Sequence, residues 1–307
     1  MTPLDPADHR PILIAGPTAS GKSALALALA DALDGVVVNA DALQVYEGWR
    51  VLTARPSVEE EARVPHRLYG HVPVQEGHSA GRWLRECREA LSEAAASGRQ
   101  AIVVGGSGLL FAALTDGLAD IPETPAAIRA AGEARLAEEG LPGLAAELSA
   151  RDPLTAGRID LANPRRVMRA WEVLEATGRP LAAWQADAQA PTLAAGAYRA
   201  VRLDPPPQAL ASRIERRFDA MLATGALCEA EAALRWRAPS PQALSPLGAA
   251  ELMAHARGET TLDEARRAAV AATRRYAKRQ RTWARGRMAD WPVQPSCDAA
   301  LKALRRS

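Results

Sequence analysis

The N-terminal part of the chain alternates between unbroken apolar runs and longer stretches of helix formers. Ile12-Leu13-Ile14-Ala15 is the first run and reads as a strand buried on both faces. Residues 16–23 interrupt it, and residues 24–33 are good helix formers. Val36-Val37-Val38 reads as a second buried strand, ending at Asn39-Ala40-Asp41. Residues 82–96 carry a helical pattern that Gly98 stops. Ala101-Ile102-Val103-Val104 follows as a third strand and runs into Gly105-Gly106-Ser107-Gly108. Strands alternating with helices predict an α/β fold, a doubly wound parallel sheet with ligands beyond the carboxyl ends of its strands.

Past about residue 117 the pattern changes. Residues 121–196 hold helical stretches interrupted by Gly140, Pro142, Pro153, Pro164, Gly178 and Pro180, without a strand, and predict a helical insertion domain. Residues 197–203 return to strand, Asp204-Pro205-Pro206-Pro207 closes it, and residues 208–288 are helical again. The expected division is a P-loop core over 1–117, the insertion over 118–196, and completion of the core with basic C-terminal helices over 197–307.

Composition adds limits rather than chemistry. The 307 residues are 48% hydrophobic and 24% charged, ordinary for a chain that buries a real core, with few aromatics. Cys87, Cys228 and Cys297 are scattered, and no pair has zinc-ligand or redox spacing. Residues 1–10 are polar with two prolines and show no apolar signal core, and no apolar run approaches a membrane span. A cytoplasmic, monomeric enzyme without membrane association is the expectation.

The break after the first strand is the strongest motif. Gly16-Pro17-Thr18-Ala19-Ser20-Gly21-Lys22-Ser23 fits G-x-x-x-x-G-K-[ST] and stands between a predicted strand and a predicted helix, the context this motif requires. Its backbone N–H groups and the helix N-terminus suit anionic oxygens, Lys22 would neutralise phosphate charge, and the Ser23 hydroxyl is placed to ligate Mg²⁺. The bland alternative is a chance glycine turn with an exposed lysine. Asp41, past the second strand, lies on the same edge of the sheet. It can be a metal partner, a general base, or simply a helix N-cap. The third strand ends in glycines where a nucleotide hydrolase of this class usually carries its magnesium-binding Asp. That argues against an ordinary ATPase or GTPase, and no N-K-x-D guanine signature is present.

Net charge is only +2, but its distribution is uneven. Arg266, Arg267, Arg274, Arg275, Lys278, Arg279, Arg281, Arg285 and Arg287 stand in one window without Asp or Glu, with Tyr276 and Trp283 interleaved. Arg274, Lys278, Arg281 and Arg285 recur at three- and four-residue spacing and form a helical stripe. A second group is Arg165, Arg166 and Arg169. Such stripes are commonly solvated faces; nine cations in one window of a near-neutral chain point towards a phosphate backbone.

Together these stretches resemble the tRNA dimethylallyltransferases, also called tRNA isopentenyltransferases, of bacterial type. The resemblance rests on residues 16–23, on Asn-Ala-Asp-Ala-Leu-Gln-Val-Tyr at 39–46 and on Pro-His-Arg-Leu at 65–68. It continues with Val-Gly-Gly-Ser-Gly-Leu at 104–109, Asn-Pro-Arg-Arg-Val-Met-Arg-Ala at 163–170 and Arg-Ile-Glu-Arg-Arg-Phe at 213–218. Thr-Arg-Arg-Tyr-Ala-Lys-Arg-Gln-Arg-Thr-Trp at 273–283 completes it. The motifs keep the family's order from residue 11 to about residue 290. The resemblance implies transfer of a dimethylallyl group from dimethylallyl diphosphate to N6 of adenosine 37 in tRNAs reading codons that begin with U, with release of diphosphate and help from Mg²⁺.

It further implies Asp41 as the base, with Ser107 across the channel and Lys22 on the leaving group. Diphosphate would be held by the phosphate loop and by Arg213 or Arg217, a choice that stays open. Contacts to the tRNA anticodon loop are implied at Asp41, Ala42, Leu43 and Gln44, at Ser107, at Arg129, and at Arg165, Arg166, Val167, Met168 and Arg169. Charge adds Arg274, Lys278 and Arg281. A base in an anticodon loop must leave its stack to reach a buried channel, so flipping is expected.

The chain departs from the family pattern at Ala42 (usually Ser), at Leu52 and Arg55 (Gly and Lys), and at Ser107 (Thr, hydroxyl kept). Leu110 replaces Tyr, and Ala249 replaces the Tyr after Gly248. These bear on local RNA contacts rather than on the reaction. The zinc-finger extension of eukaryotic members is not found in the sequence. Two other readings share the phosphate loop: a small-molecule kinase or adenylate isopentenyltransferase, and an RNA-binding module that only senses nucleotide.

Overall fold

The computed structural model describes residues 8–187 and 189–304. Most of the polar N-terminal stretch discussed above therefore lies outside the described residues. Six strands make one sheet: β1 (Ile12–Ala15), β2 (Gly35–Asn39), β3 (His66–Arg67), β4 (Gln100–Gly105), β5 (Arg199–Leu203) and β6 (Val293–Gln294). Their order is β3-β2-β4-β1-β5-β6, and every neighbouring pair is parallel. β1, β2 and β4 coincide with the apolar runs because each is buried on both faces, whereas β5 carries the buried Arg199 and Arg202. The edge strands β3 and β6 have two residues each, too few for any periodicity to register.

Helices α1 (Lys22–Leu33), α2 (Val58–Arg63), α3 (Ala80–Ala96) and α4 (Gly108–Thr115) connect the first four strands and leave β4. Four more follow before β5: α5 (Ala126–Arg151), α6 (Pro153–Ala156), α7 (Pro164–Thr177) and α8 (Leu181–Ala186). After β5 come α9 (Pro207–Ala223), α10 (Ala226–Ala233), α11 (Ala249–Ala256) and α12 (Leu262–Arg287), and α13 (Cys297–Leu304) follows β6. The helical reading of residues 208–288 holds except across 234–248 and 257–261, which are turns and irregular chain.

The chain divides into two compact units. One comprises residues up to Thr115 together with those from Leu193 onward; the other, Asp116–Thr192, is helical among its described elements. In the second unit α5, α7 and α8 close over Leu144, Leu148, Val167, Ala170, Trp171, Val173 and Leu181. The prolines and glycines there punctuate helices rather than abolish them. Pro153 and Pro164 open α6 and α7, where a missing N–H costs nothing, and Gly178 closes α7 in the left-handed region. Gly140 kinks α5.

The first unit has two apolar cores. One joins β1, β4 and β5 to α1 and α13. The other joins residues 45–74 to α9, α10, α11 and α12. Phosphate loop, Asp41, the Gly105–Gly106–Ser107 turn and Asp204 all follow carboxyl ends of strands, so topology alone brings them to one edge.

Candidate active site

The phosphate loop turns between β1 and α1 through two left-handed residues, Ala19 (φ 63°) and Gly21 (φ 96°). Gly16 serves a different need: a Cβ there would meet the Ser20 hydroxyl at 2.7 Å and the Leu203 carbonyl at 3.1 Å. Ala19 has a side chain where glycine is the comfortable choice, a strain of about 1 kcal/mol that tertiary packing must hold. No side chain caps α1, so the amides of its first turn remain available to an anion. Lys22 Nζ has one long contact, 3.5 Å to the Pro17 carbonyl. Burial pushes its pKa down to about 8, against the attraction of Asp41 and with the help of Arg217. A buried ammonium this poorly partnered is set up for an anionic ligand.

Asp41 is held by its own neighbours. The Asn39 side chain, fully buried, accepts from the Asp41 N–H (2.9 Å) and donates to the carbonyls of Asp41 and Leu68 (both 2.9 Å). Asp41 Oδ1 accepts from the Leu43 N–H at 3.0 Å, a local turn rather than the helix N-cap of its bland reading, because no helix follows until Val58. Ser107 accepts from the Ala42 N–H (3.0 Å), and its own N–H donates to the Ala40 carbonyl (3.2 Å). The Asp41 loop and the Ser107 turn are thereby one piece. A Cβ on Gly105 would fall 1.9 Å from the Ala40 carbonyl, so this approach requires glycine. Gln280, reaching in from α12, accepts from the Thr18 N–H and donates to the Gly106 carbonyl, both at 2.9 Å. It clasps the phosphate loop to the Ser107 turn.

A pocket of about 610 Å³ opens beside this framework. Thr18, Ala19 and Asp41 form one wall, Arg217, Thr273 and Tyr276 another, and Leu43, Leu52, Ile214, Phe218, Met221 and Leu247 supply an apolar lining. Burial pushes the Tyr276 hydroxyl up to about 12, helped by the Asp41 charge, and that hydroxyl meets Ser107. Burial likewise depresses Arg217, opposed by Asp41. One carboxylate, one arginine and an apolar chamber thus share a single space beside the phosphate loop.

Arg213 and Arg217 separate here. Arg217 lines the pocket, while Arg213 Nη1 donates to the Ser20 carbonyl at 3.3 Å and braces the phosphate loop. Ser23, exposed on the first turn of α1, lines a smaller cavity of about 330 Å³ with Gln44, Arg55, His66 and Tyr69. Gln44 spends its amide on the carbonyls of Thr53 (2.9 Å) and Ala54 (2.8 Å). Leu43 faces the pocket and Ala42 is exposed. In the helical unit Arg129, Arg165 and Arg166 are exposed, Arg169 donates to Thr124 (2.9 Å), Met168 is half-buried, and Val167 is core.

The basic helix differs from its sequence reading. Acidic groups absent from its own window arrive from elsewhere: Asp219 on Arg266 (2.5 Å), Glu215 on Arg274 (2.5 Å), and Asp204 on Arg281 (2.5 Å) and Arg285 (3.5 Å). Arg267 pairs with Asp263 of the first turn. Arg281 has a side chain only 15% exposed. Lys278 and Arg275 stay exposed. Asn39 and Gln280 were not singled out from the sequence. The available signal for Gln280 was a neutral amide inside a run of cations.

A family model described as IPP transferase matches residues 44–287. The chain belongs to this family. It is 59% identical over 288 residues to a tRNA dimethylallyltransferase of Dinoroseobacter shibae, covering 93% of this chain and 95% of that one. It is 53% identical to one of Paracoccus denitrificans, covering 95% of each. Among solved structures, the full-length tRNA isopentenylpyrophosphate transferase of Bacillus halodurans matches with a TM-score of 0.66 at 30% identity, covering 97% of this chain and 95% of that one. A eukaryotic dimethylallyltransferase described as acting on tRNA matches with a TM-score of 0.76 at 25% identity, covering 92% and 73%. The sheet order and the phosphate loop described above are therefore those of a P-loop prenyltransferase.

Proposed function

We propose that this enzyme transfers the dimethylallyl group of dimethylallyl diphosphate to N6 of adenosine 37 in the anticodon loop of tRNAs reading codons that begin with U. The observation that carries the reading is the shared pocket, in which Asp41 and Arg217 face an apolar lining beside the phosphate loop. The diphosphate lies on the free amides of α1 and against Lys22 and Arg217, and the five-carbon chain lies among Leu52, Ile214, Phe218 and Met221. N6 attacks C1 of the prenyl chain, the C1–O bond breaks, and its electron pair leaves on diphosphate. The N6 proton passes to the Asp41 carboxylate, which a delocalised amine needs because its lone pair is weakly nucleophilic. The amides, Lys22 and Arg217 meet charge that grows on the leaving oxygen, so they act more strongly in the transition state than in the ground state.

The Ser23 hydroxyl at the start of α1, just past the phosphate loop, is the oxygen donor that would hold Mg²⁺, which takes few protein ligands alongside waters and substrate phosphates. When bound it supplies further charge neutralisation on the diphosphate. Exposed Arg129, Arg165 and Arg166, with Lys278 and Arg275, are among the cations placed to meet tRNA phosphates.

The test incubates the protein with dimethylallyl diphosphate, Mg²⁺ and unmodified tRNA carrying A36-A37-A38, followed by nucleoside analysis. Prenylation at N6 of A37 is expected; bound tRNA left unprenylated would falsify the proposal. Asp41→Asn should abolish most turnover with tRNA affinity nearly unchanged. An affinity that falls in step with turnover would make Asp41 a binding residue.

A further inference from the structure

Away from the reaction pocket, three side chains that the transfer does not use converge on one point. His71 follows β3, His78 immediately precedes the Ser79 cap of α3, and Glu86 lies within that helix. His71 Nε2 and His78 Nε2 stand 3.0 and 2.9 Å from the same atom, Glu86 Oε2. The three ligand atoms fall within 4.8 Å of one another. The imidazoles are perpendicular, with centroids 5.8 Å apart, so their nitrogens approach from different directions. We propose that His71, His78 and Glu86 form a binding site for a divalent transition cation of the zinc class.

Geometry and donor chemistry agree. Zinc holds imidazole nitrogen and carboxylate oxygen at about 2.0–2.2 Å, which separates neighbouring ligands of a tetrahedron by about 3.4 Å. The contacts at 2.9 and 3.0 Å need to open by only a few tenths of an ångström to admit the ion. Two imidazoles and one carboxylate select zinc, nickel or copper over the hard Mg²⁺ of the reaction. Both imidazoles can present Nε2 lone pairs when neutral.

The surroundings orient these ligands as a metal site requires. Arg82 Nε donates to Glu86 Oε1 (2.9 Å), leaving Oε2 to the imidazoles, and the Arg82 charge is met in turn by Glu76 at 2.7 Å. The His78 N–H donates to Gln242 (3.3 Å), and its side chain is only 3% exposed. His71, at 30%, leaves an entry path and a fourth position for water.

The site also touches the reaction framework indirectly. Around His71, the Gly70 N–H donates to the Gln44 carbonyl (2.9 Å), the Val72 N–H to Val45 (2.9 Å), and the Glu47 N–H to Val72 (3.1 Å). A cation here would pin to α3 the segment that pairs with the chain just past Asp41–Leu43.

The test uses untagged, full-length protein freed of metal by chelator and then dialysed, with Mg²⁺ kept in excess to occupy hard oxygen sites. Zn²⁺ and Co²⁺ are titrated by calorimetry, and Co²⁺ binding is followed by its visible absorption. One equivalent binding at low-micromolar affinity or tighter is expected. His71→Ala and Glu86→Gln should each weaken it by at least about tenfold, the loss seen even for partners of metal ligands. His71 is the least buried of the three, so its variant keeps the test decisive if His78→Ala does not fold. Diphosphate binding by His71→Ala should match the wild type, which separates this site from the reaction pocket. Failure of either ion to bind, or binding undiminished in both variants, overturns the proposal and leaves a hydrogen-bonded His–Glu–His clasp.

Discussion

Lys22 carries the clearest pH signature in the site. Its folded pKa lies near 8, below the ordinary lysine value, because burial opposes the ammonium. A diphosphate beside it favours the charged form and raises that pKa, so binding takes up a proton only above about pH 8. Affinity for diphosphate should be unaffected by Lys22 below that point and fall by up to about tenfold per pH unit above it. The measurement is calorimetry from pH 7 to 9.5 on wild type and Lys22→Arg, which keeps its charge. The ratio of the two removes the titration of diphosphate itself, and a constant ratio would exclude Lys22 from the site. Arg217 and Arg213 give a second contrast. Arg217→Ala removes a charge-assisted contact and should weaken dimethylallyl diphosphate about 10- to 100-fold. Arg213→Ala frees only a loop carbonyl and should cost thermal stability with a smaller loss of affinity. Equal losses would place both arginines on the ligand.

The helix α12 illustrates how an element's surface is decided by what packs on it. Its residue spacing makes a cationic stripe visible, yet Glu215, Asp219 and Asp204 come from α9 and the end of β5 to neutralise much of it. Arg281 is consequently a member of the fold, while Lys278 remains in solvent. Lys278→Gln should reduce the salt dependence of tRNA binding by about one unit of slope and leave melting unchanged. Arg281→Gln should instead lower the melting temperature by leaving the largely buried Asp204 only its longer contact, 3.5 Å, with exposed Arg285, because a poorly paired buried charge costs more than an exposed pair contributes. Interchanged outcomes would reverse this assignment. The same helix delivers Gln280 to the phosphate loop, a role that no pattern of charge could announce.

For the molecule as a unit, binding and folding are linked at the sheet edge. The phosphate loop holds Ala19 in a left-handed conformation, leaves α1 without a side-chain cap, and keeps a buried ammonium without a close counter-ion. Each is a local cost that an anionic ligand offsets. With Mg²⁺ and diphosphate at a hundred times its dissociation constant, the folded state should gain about 2.7 kcal/mol, raising the melting temperature by about 4 °C. Lys22→Met should lose most of that shift. Identical shifts in both proteins would move the diphosphate elsewhere. Among the described residues no helix is long and apolar enough to cross a membrane.

Much of this protein was legible before any packing was considered. Residues 16–23 are contiguous, and the strand before them and the helix after them are coded by local apolar runs. Asp41 likewise follows directly from the end of β2. Parallel strands buried on both faces tend to be continuous apolar runs, so β1, β2 and β4 could be read and their carboxyl ends brought to one edge. Tertiary structure alone decided the rest, because those features depend on residues far apart in the chain. β3 and β6 exist only as partners of longer strands. Arg213 and Arg217 stand one turn apart on one face of α9, and packing determined which reaches the Ser20 carbonyl and which reaches the pocket. Four of the nine cations of α12 drew counter-charges from α9 and the end of β5, and His71, His78 and Glu86 met only when the loop after β3 folded back on α3.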